Sequence, residues 1–428
     1  MENFSWHRLD NSAKIYPLAL NKNTQNLFRI SADMTDTVNP EVLSAALTST
    51  IKRYPSFNVS LKKGLFWHYL EQLNGKPDIY EDSDIIIKEI SSIGTCGYSF
   101  RVSYYEKRIS IDCFHALCDG NGCFEFVKTL LFEYLSLLGF DIDPQERIKL
   151  ANSPVLKEEI DDSFLRYAQN TKLLQLKGVG ELRGTSAFTL NDFRFEYAGS
   201  GVIQGTFSSS ELLKLSHENN ATVTAYLGAV LAYSIYKTKR LQPLGNFPIV
   251  LFIPINLRKL FPSKTLLNFS LFSRCKIDIN GELAFSDILE RTKEALARDT
   301  NKDILQNKIN VTAKTQKIFI FRVLPLFIKQ GIFKVSQLFF GKNKKTLTFT
   351  NMGVLSLPDG MKCHINHFSV VASTSKTAPS TVSVCTALDK TTITFTRKII
   401  DTEIEKFFFR YLSNEGLDIT LTSNYWEV

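Results

Sequence analysis

The sequence lacks the signatures of several common protein classes. Its seven cysteines are scattered without a CxxC pair, which argues against a disulfide framework and a four-cysteine zinc site and favours reduced thiols in a cytoplasm. The start of the chain lacks the basic and then apolar pattern of a signal peptide. No apolar run is long enough to span a bilayer, since Arg322 interrupts the closest candidate at residues 318–321. Neither a GxGxxG pattern after a predicted strand nor a Walker-type phosphate loop occurs.

Length and composition indicate a globular protein with more than one core. The 428 residues fit two domains of ordinary size, and 44% of them are apolar and 22% charged. The net charge of +8 is uneven, because residues 301–350 contain ten Lys or Arg and one acid and therefore carry +9. One basic segment predicts an anionic partner at one place. It argues against a general nucleic-acid coat, so we expect no nucleic-acid partner.

A β-hairpin is predicted in the first third of the chain. Apolar and polar residues alternate over residues 98–105 and again over residues 108–115. His115 is therefore expected at the end of the second strand. We interpret residues 119–122 as a turn, and apolar residues at helical spacing follow it.

Strand and helix patterns alternate along the remaining sequence as well. Asn39 is expected to cap a helix that begins at Pro40, and Ser208 is expected to cap another. The aromatic segment 64–70 is typical of a strand. Because strands and helices follow one another in mixed order, we predict an α/β fold of the α+β sandwich type, with two mixed sheets flanked by helices.

A polar stretch of weak pattern separates the two halves. Its charges cluster at residues 158–162. We expect an N-terminal subdomain at residues 1–165, a crossover linker at 166–200 and a C-terminal subdomain at 201–428.

His115 is the residue on which the predicted chemistry depends. Asp119 follows it four residues later, and then Gly120, which permits a tight backbone or a close approach. No serine in a strained elbow and no pair of carboxylates stands nearby in the sequence. A single His suits a reaction in which it removes a proton from the acceptor and returns it to a leaving thiolate. The same short pattern also fits a packed histidine before an ordinary turn.

The stretch His115-Ala116-Leu117-Cys118-Asp119-Gly120 resembles the HxxxDG signature of the chloramphenicol-acetyltransferase-like superfamily. This superfamily includes carrier-protein condensation domains and alcohol acyltransferases. The likeness runs over nearly the whole chain. It points to the bacterial alcohol-acetyltransferase-like branch, because five segments resemble that branch in the same order: 9–14, 53–57, 64–67, 252–258 and 350–358. The resemblance implies two subdomains of this fold with the active-site channel at their interface.

The resemblance also implies a role for each residue of the motif. His115 matches the general base. Asp119 matches an aspartate that holds the loop and pairs with an arginine of the other half, and Arg258 stands at the matching position. Gly120 completes the motif. Condensation domains often have a second His before the base, whereas Phe114 stands here as in the stand-alone acyltransferases, which favours acyl-CoA over a carrier-bound donor.

A tetrahedral intermediate needs a hydrogen-bond donor for its oxyanion. Asn268 and Ser270 lie in a predicted strand, and Thr350 and Asn351 lie in one of the segments that resemble the family. These four residues are candidate oxyanion or substrate-binding groups. The alternative is that they are ordinary strand residues.

Together these features predict an O-acyltransferase of the kind used in natural-product biosynthesis. It would move an acyl group from a thioester, most simply acyl-CoA, to a hydroxyl of a small-molecule acceptor that attacks directly in a ternary complex. We expect a monomer with no bound cofactor and no metal, and a coenzyme A thioester as co-substrate. One alternative is an enzyme that condenses a carrier-protein-bound acyl group with an amine or alcohol. The other is a binding module without turnover.

The basic segment 314–345 is apolar and amphipathic and is open to several interpretations. Its lysines can lie near the phosphates of coenzyme A. The segment can also make peripheral contact with a membrane surface. The third possibility is a packed helix with a solvated lysine face.

Two further groups of reactive residues are expected to be spectators. Cys118 lies beside the base, but a turn residue is a weaker candidate for a nucleophile. Cys363, His364 and His367 offer three metal ligands and no fourth nearby, so we predict no metal site there.

Overall fold

The structure is a computed structural model that describes most of the chain. The described residues are 6–20, 26–83, 86–87, 90, 95–169, 186–195, 200–239, 247–315, 323–340, 344–375 and 378–424. None of the helices within these ranges is long and apolar enough to cross a bilayer.

The strands form one small sheet and two large sheets. In chain order they are β1 (Trp6–Arg8), β2 (Leu27–Met34), β3 (Val59–Lys63), β4 (His68–Gln72), β5 (Ile79–Glu81), β6 (Phe100–Tyr105), β7 (Arg108–Phe114), β8 (Gly201–Ser208), β9 (Ile249–Asn256), β10 (Ser270–Ile277), β11 (Leu347–Val354), β12 (Ile365–Ala372), β13 (Ser380–Ala387), β14 (Lys390–Arg397) and β15 (Thr420–Ser423).

Helices flank these sheets. In chain order they are α1 (Ile15–Ala19), α2 (Pro40–Arg53), α3 (Gly120–Leu137), α4 (Ser163–Tyr167), α5 (Ser209–Glu218), α6 (Val223–Lys239), α7 (Phe285–Asp299), α8 (Lys302–Thr315), α9 (Leu326–Phe340), α10 (Asp359–Lys362) and α11 (Glu403–Asn414). Single 3₁₀ turns occupy Lys157–Glu159 and Leu257–Lys259.

The first half is built on a five-stranded sheet of order β12-β2-β7-β6-β5. Its pairs are antiparallel except β5 and β6, which run parallel. Helices α2 and α3 pack against each other over this sheet. Val127, Leu130 and Leu131 of α3 are fully buried, and the burial of each is worth roughly 1.5–3 kcal/mol. The small sheet β1-β4-β3 joins the same core.

The second half is built on a seven-stranded mixed sheet of order β10-β9-β11-β13-β14-β8-β15. Strand β11 runs parallel to both of its neighbours, whereas the other pairs are antiparallel. Helix α6 lies at the centre of this core between α7 and α11, and its side chains Tyr226, Val230 and Leu231 are fully buried. The predicted α/β fold with two mixed sheets flanked by helices is confirmed.

The predicted hairpin and the two predicted helix caps are confirmed. The hairpin forms as β6 and β7, and His115 follows β7 directly. Asn39 accepts hydrogen bonds from the backbone N–H groups of Glu41 and Val42 at the start of α2. Ser208 accepts one from Glu211 at the start of α5.

Two local predictions are wrong. The segment 64–70 is not one strand, because residues 64–67 form the turn between β3 and β4, closed by the Gly64 N–H to the carbonyl of Trp67 at 3.0 Å. Residues 119–122 are not a turn between elements. The Asp119 carboxylate accepts from the backbone N–H of Gly122, so α3 already begins at Gly120.

The two halves exchange segments. Strand β12 comes late in the chain but pairs with β2 in the first sheet, and α4 packs against α8 of the second half. The predicted boundaries at 1–165, 166–200 and 201–428 stay predictions. Residues 170–185 and 196–199 of the predicted linker lie outside the described residues.

Gly122 brings the halves into direct backbone contact. A Cβ atom at this position would lie 1.9 Å from the carbonyl oxygen of Leu266 in the second half. No side chain fits there, because the obstructing atom belongs to the backbone. The first turn of α3 therefore lies directly against the segment that leads into β10.

Candidate active site

His115 lies at the junction of the two halves. Its backbone N–H donates to the carbonyl of Asn26 at 3.0 Å, which anchors the residue beside β2. Its ring Nδ1 lies 3.0 Å from Oδ1 of Asn268, which stands just before β10 in the second half. The catalytic candidate of one half is therefore held by a side chain of the other.

Asn268 determines which ring nitrogen of His115 carries the proton. Its Nδ2 donates to the His115 carbonyl at 3.0 Å and to Asp10 Oδ2 at 3.1 Å. Both amide protons are thereby used, and Oδ1 must face the ring as an acceptor. The hydrogen-bond network thus assigns the proton to Nδ1 and leaves a lone pair on Nε2. Within the part of the chain described here, no protein group bonds to Nε2.

Aromatic rings fix the plane of the imidazole. Tyr16 of α1 stacks on the His115 ring with centroids 4.5 Å apart, and Phe28 of β2 meets it edge-on at 5.1 Å. Burial lowers the pKa of His115 below its ordinary value of 6.5, although Asp119 and Asn268 favour the charged ring. The imidazole is therefore neutral at pH 7, as a general base requires.

Asp10 is a site residue that the sequence analysis missed. Its Oδ1 accepts from the Ala13 N–H at 2.7 Å, while Oδ2 accepts from Asn268. Burial raises the pKa of Asp10 to about 7. The available signal was a carboxylate inside segment 9–14, which resembles the family, but its partner lies 258 residues away.

Asp119 and Arg258 form the ion pair expected between the halves. Two parallel contacts of 2.7 and 3.1 Å join the guanidinium to the carboxylate. Asp119 also accepts from the backbone N–H groups of Gly122 and Phe269, each at 3.0 Å. The carboxylate is thus occupied by four hydrogen bonds, so it holds the loop and is not free to act as a base.

Arg258 is equally occupied. It stands in the 3₁₀ turn after β9, where Asn256 accepts from its backbone N–H. Its remaining guanidinium protons bond the carbonyls of Thr265 and Leu267 at 2.7–3.1 Å. Full satisfaction of both charges is what makes a buried pair tolerable.

A cavity of about 250 Å³ opens between the halves at His115. Tyr16, Phe28, His115 and Gly120 line it from the first half, and the residues that line it from the second half include Pro254, Ser270, Phe272, Thr350 and Asn351. The site residues that the sequence predicted therefore converge here. Asn268 and Arg258 are the exceptions, since neither lines the cavity. Asn268 is buried behind the imidazole, and the Arg258 guanidinium is paired with Asp119.

The second-half wall contains a cation. Nζ of Lys345, a half-buried residue, donates to Oγ1 of Thr348 at 2.9 Å and lies 5.3 Å from the Phe252 ring, which stacks on Phe272. Burial lowers the pKa of Lys345 to about 8. The cavity thus has an aromatic and cationic wall in addition to the wall formed by His115.

Three cysteine thiols lie behind the His115 loop. Cys113, Cys118 and Cys123 are fully buried, and their sulfur atoms lie within 4.8 Å of one another. They are the one candidate metal-binding cluster among the residues described, and three thiols without a fourth ligand do not make a closed zinc site. Burial raises the pKa of the Cys118 thiol well above its usual range, which disfavours the thiolate that a nucleophile needs.

The other predicted spectators have separate partners. The His364 ring packs on Phe140 with centroids 4.0 Å apart. His367 contacts the carboxylate of Asp33 at 3.2 Å. Cys363 is exposed.

Comparison with solved structures identifies the fold. No protein-family profile and no curated protein matches the sequence. TRI101 of F. graminearum, complexed with coenzyme A and T-2 mycotoxin, matches 97% of this chain and 99% of its own at 9% identity, with a TM-score of 0.64. The first condensation domain of the CDA synthetase matches 96% of each chain at 11% identity, with a TM-score of 0.62. TRI3 trichothecene 15-O-acetyltransferase from Fusarium sporotrichioides matches 95% of this chain and 93% of its own at 10% identity, with a TM-score of 0.60.

This chain has the fold that these proteins share. This likeness confirms the predicted fold. The chain and each neighbour correspond over nearly their whole lengths.

Replacing Arg258 by Leu is expected to lower the free energy of unfolding by about 3–5 kcal/mol, because it leaves the Asp119 carboxylate buried without a cation. The double variant with Asp119→Asn should recover part of the loss, since Asn removes the charge and still caps α3. Urea unfolding followed by circular dichroism measures both. The matched control is Lys406→Leu, which breaks an exposed pair with Glu403 and should cost less than about 1 kcal/mol. An Arg258→Leu loss no larger than the control would contradict the account.

Proposed function

We propose that the protein is an acyltransferase that moves an acyl group from a thioester to a hydroxyl of a small molecule, with acyl-CoA as donor. The observation that carries this proposal is the neutral His115, whose Nδ1–H is held by Asn268 and which lines the cavity between the halves. Such an imidazole has its Nε2 lone pair available for a proton from a bound acceptor.

The proposed reaction needs no covalent enzyme intermediate. Nε2 of His115 takes the hydroxyl proton as the acceptor oxygen attacks the thioester carbonyl, and a tetrahedral intermediate forms. When this intermediate collapses, the C–S bond breaks and the imidazolium returns the proton to the leaving thiolate. The products are the ester and the free thiol, and His115 ends neutral as it began.

Positioning residues surround this base. Asn268 and Asp10 set the tautomer of His115, and Tyr16 sets its plane. Asp119 and Arg258 keep the loop after β7 against the second half. Gly120 lies next to the Met352 side chain in the cavity wall, where a larger residue would displace that methionine.

Ser270 is the proposed oxyanion donor. Asn268 has used both amide protons, and Asn351 donates one of its own to Thr224 at 3.1 Å. Ser270 and Thr350, which carry hydroxyl groups, line the cavity. Ser270 stands two residues after Asn268, about 7 Å further along an extended chain. Thr350 is the second candidate.

The choice of acyl-CoA as the acyl donor is supported by the structural likeness to TRI101 and by Phe114. TRI101, which shares the fold, was solved with coenzyme A. Phe114 stands before the base, as in stand-alone acyltransferases. A coenzyme A thioester is then a co-substrate, and we propose no resident cofactor. The cysteines are free, which supports a reducing, cytoplasmic setting. Monomeric state and a place in natural-product biosynthesis belong to the same proposal.

A condensation enzyme that uses a carrier-bound acyl group is the second candidate. The likeness to a condensation domain favours it. It would give product only with an acyl carrier protein. A binding module without turnover is less consistent with the complete set of hydrogen bonds around His115, since a fold retained only for binding does not need a poised base.

The variant His115→Ala is expected to lower kcat/KM for acyl transfer by about 10²–10⁴-fold. In the native protein the rate should fall on acidification with a midpoint below pH 6.5, because burial lowers the pKa of His115 and the ring becomes protonated only at lower pH. Product formation from acyl-CoA esters and a panel of alcohols, detected by mass spectrometry, measures both.

The matched control for this experiment is His217→Ala, at an exposed histidine of α5. It should leave both the rate and the pH profile unchanged. Undiminished acyl transfer by His115→Ala would contradict the proposed mechanism. Product from carrier-bound donors alone would establish the condensation candidate instead.

Ser270→Ala is expected to lower kcat by about 10²–10³-fold with little change in KM, because the lost hydrogen bond matters mainly in the transition state. Thr350→Val, which removes the other cavity hydroxyl, should have a much smaller effect. Steady-state kinetics at saturating donor compares the two variants. The reverse order of effects would reject Ser270 and move the oxyanion role to Thr350.

A further inference from the structure

The outward face of the first eight residues of helix α9 is apolar, in contrast to an ordinary surface helix. Over its first eight residues, the exposed positions are Phe327, Ile328, Gly331 and Ile332. Phe327 is 67% exposed and Ile332 47%. At 100° per residue these positions lie within one arc of about 140°. Large apolar side chains that share one exposed arc mark an interaction surface.

Lys329 of α9 is buried, whereas the apolar residues of the outward face are exposed. Lys329 is 6% exposed, and its Nζ donates to the Phe66 carbonyl at 2.8 Å beneath the helix. It lies 3.4 Å from the Trp67 ring, on which Lys14 of the segment before α1 also lies, at 5.3 Å. Burial lowers the pKa of Lys329 to about 8, and the nearby charge of Lys14 adds to the effect. Over its first eight residues, the helix thus turns Lys329 inward and apolar residues to solvent.

Two neighbouring elements extend the apolar surface. The Leu326 N–H donates to the Leu65 carbonyl at 2.8 Å, so the β3–β4 turn lies beside α9. Helix α1 also contacts α9. The exposed residues on these elements, together with those of α9, define what we call the docking face: Ile15, Leu20, Leu65, Phe66, Phe327, Ile328 and Ile332.

Charge distinguishes between possible occupants of the docking face. The segments 12–20, 62–70 and 323–340 contain five lysines and no acid. Among these lysines, Lys62 and Lys63 directly precede the β3–β4 turn and are exposed. Lys62 pairs with Glu71 of β4 at 3.3 Å, so Lys63 is the lysine that the proposal tests. Exposed apolar side chains beside an excess of lysines suit a surface that is apolar below and anionic above, which describes a bilayer with acidic headgroups.

We propose that the docking face seats this protein on an anionic lipid bilayer. Phe327, Ile332 and Leu65 enter the boundary between headgroups and acyl chains, and the flanking lysines contact the acidic headgroups. No span is needed, because the apolar residues come from three short surface elements. Membrane binding of this kind does not depend on the proposed acyltransferase activity.

The docking face and the cavity share one helix. Ile15 of α1 belongs to the docking face, and the next residue, Tyr16, stacks on His115. A bilayer held at this face therefore lies one helix away from the base. If the proposed function holds, an apolar alcohol dissolved in the bilayer is the class of acceptor that this arrangement serves.

Flotation with phosphatidylcholine vesicles, with and without phosphatidylserine, tests the proposal on the full chain. We expect binding to the anionic vesicles that weakens as salt is added. Phe327→Gln should reduce the partition coefficient about tenfold, because one phenyl group no longer leaves water. Lys63→Ala should reduce it about fivefold on anionic vesicles and leave binding to neutral vesicles unchanged.

The matched control is Phe193→Gln, which replaces an 83% exposed phenylalanine outside the docking face and should bind like the native protein. Circular dichroism should show the same unfolding transition for all variants. Failure to bind anionic vesicles, or equal binding by Phe327→Gln and Phe193→Gln, would overturn the proposal. So would a lipid-free dimer that Phe327→Gln converts to a monomer, since the docking face would then join two copies of the chain.

Discussion

The candidate site depends on one carboxylate, that of Asp119. It caps α3, receives both arms of Arg258 and accepts the backbone N–H of Phe269. These contacts hold the loop after β7 against the segment that leads into β10, which includes residue 268. Because Phe269 is the neighbour of Asn268, the same carboxylate also places the amide that orients His115. His115 is thus positioned by the contact between the two halves and not by either half alone.

Electrostatics keep the roles of the charged groups apart. Asp119 is neutralised by Arg258 and can remain ionised in a nearly buried position. Asp10 has no such cation among its hydrogen-bond partners, and burial raises its pKa to about 7. Burial lowers the pKa of His115. Its ring faces the amide of Asn268 and not a bare carboxylate. A carboxylate at position 268 would favour the charged ring and remove the lone pair that a base needs.

The sequence predicts the features that are local. Alternation placed His115 at a strand end, and the family resemblance paired Asp119 with Arg258 across 139 residues. The sequence could not show that Asn268 faces the imidazole of His115, because that contact joins residues 153 apart and depends on how the halves pack. The aromatic segment 64–70 was misread for a related reason. Its Leu65 and Phe66 resemble strand residues but are exposed at a turn, where the docking face uses them.

The central claim is that Asn268 holds His115 as the neutral Nδ1–H tautomer with Nε2 unprotonated. Nitrogen-15 NMR of protein labelled at histidine measures this directly, and His115→Gln identifies the signal among those of the six histidines. We expect a protonated Nδ1 and a bare Nε2 at pH 7, and a loss of this preference in Asn268→Ala. A proton on Nε2 in the native protein, or an imidazolium at pH 7, would contradict the account.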